Sequence, residues 1–128
     1  MPYCHVIADT NHMLIEGVFC KDYLVIPSDD IVLFISLIDF TVKEKVKPSY
    51  YVSDLLSAND VVYIFDCDGI IAINSDLEIL WENHSLAIDG TKFVGFASDD
   101  IMEISCDMDP PGGWVDKRIS IRDGALRN

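Results

Sequence analysis

Val61-Val62-Tyr63-Ile64-Phe65-Asp66-Cys67-Asp68-Gly69-Ile70-Ile71-Ala72-Ile73 decides the fold. Two short apolar runs, rich in β-branched and aromatic residues, flank four residues of turn composition. That is the signature of a β-hairpin, with Gly69 available for a positive φ. Neither run reaches the length of a stable helix.

Similar units recur on both sides. Upstream, His12 to Phe19 and Tyr23 to Ile26 read as strands, the second stopped by Pro27-Ser28-Asp29-Asp30. Ile31 to Val42 is the longest run; both faces are apolar as far as Ile38, which predicts a central strand covered on both sides. Downstream, Leu77, Ile79 and Trp81 alternate with Glu78 and Glu82, and Met102, Ile104 and Cys106 with Glu103 and Ser105. Val115, Ile119 and Ile121 alternate with Asp116, Arg118, Ser120 and Arg122, the cleanest two-residue period in the chain. The single helix predicted is Ser49 to Ala58: Pro48 stops the preceding strand, Ser49 caps, and Tyr51 and Leu55, with Val52 and Leu56 beside them, share a side. The expected fold is therefore mainly β, an antiparallel meander forming a curved sheet, sandwich or partial barrel, with one short helix near 49–58. At 128 residues a single domain, 1–128, is expected. Asp-Gly recurs at 68–69, 89–90 and 123–124 without constant spacing, so no sequence repeat is assigned.

Half of the chain is apolar, which excludes a disordered acidic tail. Its formal charge is −13, from 17 Asp and 5 Glu against 6 Lys and 3 Arg. Nine scattered cations are a poor basis for phosphate contacts, so no nucleic-acid partner is expected. No secretory signal is visible, no run spans a bilayer, and an anionic chain is repelled by anionic head groups, so no membrane partner and a cytoplasmic location are expected. Cys4, Cys20, Cys67 and Cys106 lack zinc or redox spacing and read as free core thiols.

The charge is concentrated. Residues 60–109 hold twelve acids and one base, Lys92, and so carry −11 of the total. Turn chemistry accounts for part of this, since Asp bonds to nearby backbone. Glu78, Glu82 and Glu103 instead fall at strand positions expected on an exposed face, where like charges oppose one another. A surface of this kind fits a cationic protein partner. Its candidate residues are Asp66, Asp68, Asp76, Glu78, Trp81, Glu82, Asp99, Asp100, Glu103, Asp107, Asp109 and Trp114, with the two tryptophans as apolar anchors. Asp109-Pro110-Pro111-Gly112-Gly113-Trp114 is the most distinctive segment, a stiff reversal delivering Trp114 to the last strand.

Enzyme motifs are weak. Asp66-x-Asp68-Gly69 lacks the further ligands of a calcium loop. His5, His12 and His84 have no metal spacing, and no nucleophile elbow or phosphate loop accompanies them. No catalytic residue, metal or cofactor is assigned.

Leu80-Trp81, Leu86-Ala87-Ile88-Asp89-Gly90, the Asp-Pro-Pro-Gly-Gly-Trp turn and the final Ile-Ser-Ile-Arg-Asp-Gly together resemble a pattern of small bacterial β-rich proteins. In size and acidity the chain also resembles immunity proteins of bacterial toxin systems. That resemblance implies an inhibitor that covers the cationic site of a toxin, such as a nuclease, and it carries over no catalytic residue. Two alternatives stand beside it. One is a small hydrolase using paired carboxylates, Asp66 with Asp68 or Asp107 with Asp109. The other is a structural or accessory subunit of an oligomer, joined through the two-sided strand at Ile31–Ile38.

Overall fold

The computed structural model describes residues 7–9, 14–28, 30–108 and 112–127. They form an all-β protein, without a helix among them. A short hairpin, β1 (Ile7–Asp9) with β2 (Leu14–Glu16), precedes three four-stranded antiparallel sheets, none closed into a barrel. The first contains β3 (Val18–Cys20), β4 (Tyr23–Ser28), β5 (Ile31–Ser36) and β6 (Val42–Val46). The second contains β7 (Val52–Ala58), β8 (Val61–Asp66), β9 (Ile70–Asn74) and β10 (Ile79–Asn83). The third contains β11 (Thr91–Phe96), β12 (Ile101–Asp107), β13 (Trp114–Ser120) and β14 (Leu126–Arg127). Within each sheet every strand pairs with the next in sequence, so the meander expectation holds throughout.

The sheets stack in chain order. β7, the first strand of the second sheet, lies against β3 on one side and β11 on the other. One core joins the first two sheets, through Val25, Val32 and Phe34 against Val62, Ile64, Ile71 and Ile73. The other joins the second and third, through Tyr63, Phe65, Ile70 and Trp81 against Met102, Ile104 and Ile119. Val62 and Ile64 point one way from β8, Tyr63 and Phe65 the other. The apolar run at 61–65 is thus the strand covered on both faces, and the middle sheet it lies in has no wet face along β8.

Three expectations are corrected. The run from Ile31 is not covered on both sides. It stops at Ser36, where a turn closed by Phe40 N–H to Ser36 O (2.8 Å) and Ser36 N–H to Thr41 O (2.9 Å) leads into β6. Its residues alternate between buried and half-buried, because the first sheet is packed by its neighbour on one face. Residues 49–58 are not a helix. Val52–Ala58 is a strand, and a bulge between Val52 and Asp54 puts Val52 and Leu55 into the same core despite their three-residue spacing. That bulge is what imitated a helical period. A second bulge, between Ile79 and Trp81, breaks the alternation read at 77–82: Trp81 turns inward while Ile79 and Leu80 stay exposed.

Cys20, Cys67 and Cys106 are free and buried; burial raises the pKa of each thiol, for Cys106 to about 11. Cys4, His5 and His12 lie outside the described residues.

Candidate functional site

Four connections meet at one end of the inner strands: the β6–β7 link, the β8–β9 turn, the β10–β11 link and the start of the β12–β13 turn. Backbone bonds join them directly. Cys67 N–H reaches Ser49 O (3.4 Å), and Leu86 and Ala87 N–H both reach Asp68 O (3.0 and 3.1 Å). Ile88 and Asp89 N–H both reach Asp107 O (2.9 and 3.1 Å), and Gly90 N–H reaches Cys67 O (2.7 Å). Below them a buried polar seam fixes β7 to β11. Ser53 Oγ donates to Thr91 O (2.6 Å), and Thr91 Oγ1 lies 2.8 Å from the carbonyls of both Asp66 and Gly69.

Asp66 organises this end. Its carboxylate is wholly buried and accepts N–H bonds from Ser49 (2.9 Å), Gly69 (2.8 Å) and Asp68 (3.3 Å). Burial raises its pKa; the Ser49 and Gly69 donors oppose that, and the nearby Asp68 carboxylate adds to it. Gly69 is required by crowding and not by a positive φ: a Cβ there would lie 1.7 Å from Asn83 O and 2.9 Å from His84 Cα.

His84 sits on top of Asp66. Its Nδ1 is 3.0 Å from Asp68 Oδ1 and 3.8 Å from Asp66 Oδ2, and its Nε2 is 2.8 Å from Glu82 Oε1. Partial burial disfavours the charged ring. The hydrogen bonds to Glu82 and Asp68 and the charges of Asp66 and Asp68 outweigh it, and the pKa rises above the usual histidine value. Carboxylate oxygens stand at both ring nitrogens, a geometry in which the protonated ring donates from each. Asp66, Asp68 and His84 place three ligand-type atoms within 4.8 Å of one another, and these are the residues that would hold a divalent cation. The ion-pair network accounts for the same geometry without one. Acid–base chemistry by Asp66 with Asp68 is disfavoured, because Asp66 has no surface with which to touch a substrate.

The predicted surface residues divide. Asp68, Glu82 and Asp107 belong to this loop end, and Asp109 follows it outside the described residues. Asp76 and Glu78 sit in the β9–β10 hairpin, at the opposite end of β9 from Asp68, where Glu78 Oε1 accepts from Asn74 Nδ2 (3.2 Å). Asp99 and Asp100 sit in the β11–β12 turn, about 20 Å along β12 from Asp107 at ~3.3 Å per residue. Glu103 faces Arg118 across the ladder, 3.5 Å from its Nε, so the expected row of opposed like charges does not form at that position. Asp66 and Trp81 are not surface residues. Trp81 is 8% exposed, donates Nε1–H to Ile121 O (2.8 Å) and packs on Gly124. Trp114 is exposed, with Lys92 Nζ 5.2 Å from its ring centroid.

Sequence reasoning left out Asp89, Ile88, Tyr50 and Tyr51, which the fold brings to this end. Tyr51 Oη donates to Asp89 O (2.7 Å) and Oδ1 (2.9 Å). Tyr50 is 81% exposed in a left-handed conformation, φ 63°, and Ile88 is also exposed. No spacing links residues 50, 68, 89 and 107; only the stacking of the sheets does. A shallow depression of about 400 Å³ lies elsewhere, over the third sheet between Glu103, Asp116, Arg118 and Arg127.

Comparison with protein-family models and with curated proteins found no match.

Proposed function

We propose that the chain is a cytosolic binding protein of immunity type, which neutralises a cognate bacterial toxin by covering a cation-rich site with its acidic loop end. A nuclease is the partner whose chemistry fits best, since its site is lined by Lys and Arg to hold phosphate. The observation that carries the reading is the backbone bonding among residues 67, 68, 86–90 and 107. It fixes Asp68, Asp89 and Asp107 on one rigid end beside exposed Tyr50, Ile88 and Trp114. Short carboxylates on a fixed frame lose little side-chain entropy on docking, and an excess of one sign speeds encounter with the other. Exposed Tyr and Trp supply apolar contact at the same place.

The test is capture from the native host at low and at high salt, using the native chain and an Asp68→Lys/Asp89→Lys variant shown by its melting curve to be folded. The expected result is a basic protein retained at low salt by the native chain, released by high salt, and not retained by the variant. Equal retention by both chains, or no basic protein in either, overturns the reading.

A further inference from the structure

The first two sheets do not end flush. On the second, Ile79 pairs with Ile73 and Glu82 with Ile71, and direct partners in a ladder share a face. Ile71 and Ile73 are buried in the core between the two sheets, so Ile79 and Glu82 also face the first sheet. Yet Ile79 is 54% exposed, and Glu82 is exposed as well. The first sheet stops at β6, and among the described residues no strand of it covers this face of β10. The gap is a cleft of about 340 Å³ between β6 and β10, floored by Val46, Ile71, Ile73, Leu77 and Ile79.

β6 forms one wall of the cleft and, among the described residues, pairs with β5 alone. Such an edge presents backbone N–H and C=O groups to any further strand. Val42-Lys43-Glu44-Lys45-Val46-Lys47 also holds three of the six lysines in a chain of charge −13. Register assigns the faces. Val46 pairs with buried Val32 and Glu44 with buried Phe34, so both face the second sheet, whereas Lys45 pairs with Leu33 on the outer side. The charges around the cleft divide into two groups. Glu44 Oε1 accepts the Lys45 N–H (3.0 Å), and Glu82 Oε1 lies 2.8 Å from His84 Nε2. The ammonium groups of Lys45 and Lys47 stand at the rim with no carboxylate partner among the described residues.

We infer that an extended segment of another protein, in which acidic residues alternate with aliphatic ones, adds to β6 as a fifth strand of the first sheet and fills this cleft. The geometry dictates the alternation. In a strand laid beside β6, every second side chain continues the inner face and lies over Leu77 and Ile79, which calls for aliphatic residues. The others continue the outer face beside Lys45, where an acidic residue is the favourable neighbour. Lysines on an edge repel a basic strand, a second β6 included, and so select an acidic one. The charge preference is opposite to that of the proposed toxin surface, and either site can fail without the other.

The probe is an end-capped octapeptide of alternating Glu and Val, titrated into the full chain and followed by calorimetry and amide NMR. The expected result is saturable binding, with the largest shifts at the β6 amides and at Ile79. A peptide of the same composition with its Glu and Val in two blocks should bind at least ~10-fold more weakly, because it cannot place both kinds of side chain on their faces. An alternating peptide N-methylated at every second residue should lose binding to the same extent, because it lacks the donors of one edge. Lys45→Glu/Lys47→Glu, at two exposed positions, should keep the native melting curve and lose the peptide. Ile79→Ser, also at an exposed position, should weaken binding and serves if the first variant does not fold. Failure of the alternating peptide to bind at millimolar concentration overturns the inference. So does equal binding of the block or N-methylated peptide, binding undiminished in either folded variant, or shifts confined to the loop end at residues 84–90.

Discussion

Replacing Gly69 with Ala tests whether the loop end is the rigid frame described. The added Cβ would sit 1.7 Å from Asn83 O and 2.7 Å from Asn83 C, both backbone atoms. Neither moves easily, because Asn83 pairs with Ile70, and Leu86 and Ala87 are bonded to Asp68 O. Relief of more than 1 Å of overlap costs about 1–3 kcal/mol in a packed site. Any shift also stretches the Gly69 N–H bond to the Asp66 carboxylate, 2.8 Å long, and a bond to a buried charge is worth about 1.5–3 kcal/mol. Together the loss is about 3–5 kcal/mol, or roughly 10–20 °C of melting temperature for a chain of this length. Gly95→Ala is the internal control. It has nothing within 4 Å, and its cost should stay within about 0.5 kcal/mol. Thermal and urea unfolding of both variants gives the answer. A Gly69→Ala melting temperature within about 2 °C of the Gly95→Ala value would refute the packing argument.

Further outcomes follow from single residues. Trp81→Ala should cost about 3–5 kcal/mol, because it opens the second core, whereas Trp114→Ala should cost less than ~1 kcal/mol; denaturant titrations compare them. In the native chain acrylamide should quench Trp114 and spare Trp81, as fluorescence of the single-Trp variants reports. His84 has a pKa raised in the folded state, so its contribution is fully present below the unfolded value of ~6.5 and is lost as pH rises through the folded value. Stability measured across that window should therefore fall with pH in the native chain and fall less in His84→Gln. Alkylation near neutral pH should leave Cys20, Cys67 and Cys106 unmodified in the folded chain and label them in urea.

The meander was legible because its strands are short apolar runs between Asp, Gly and Pro, and each strand pairs with its neighbour in sequence. What misled was parity. A bulge at Val52–Asp54 converts a two-residue period into something helix-like, and another at Ile79–Trp81 puts Leu77 and Trp81, which alternate in step, against different cores and leaves Ile79 exposed. Neither bulge leaves a trace in composition. Coverage was equally hidden. Ile31–Ile38 and Val61–Phe65 are both continuous apolar runs, yet only the second lies between two sheets, and this is set by the order of the stack. The sheets begin at residues 18, 52 and 91 as three successive meanders, although no sequence motif repeats with them. Of the predicted acidic surface, Asp68, Glu82 and Asp107 converge, while Asp76, Glu78, Asp99, Asp100 and Glu103 are distributed over other turns and strands. Local Asp-Gly signals marked turns correctly; which turns meet depends on long-range packing.

The central claim is that one acidic end, and not the charge of the whole chain, recruits a cationic partner. The direct measurement is the association rate with the captured partner as a function of salt for three chains of matched fold: native, Asp68→Lys/Asp89→Lys, and Asp76→Lys/Glu78→Lys. The two variants change the net charge equally. The account predicts that the native rate falls with salt, that the first variant is slower by about tenfold or more, and that the second stays close to native. Equal slowing by both variants, or a rate indifferent to salt in all three, would contradict it.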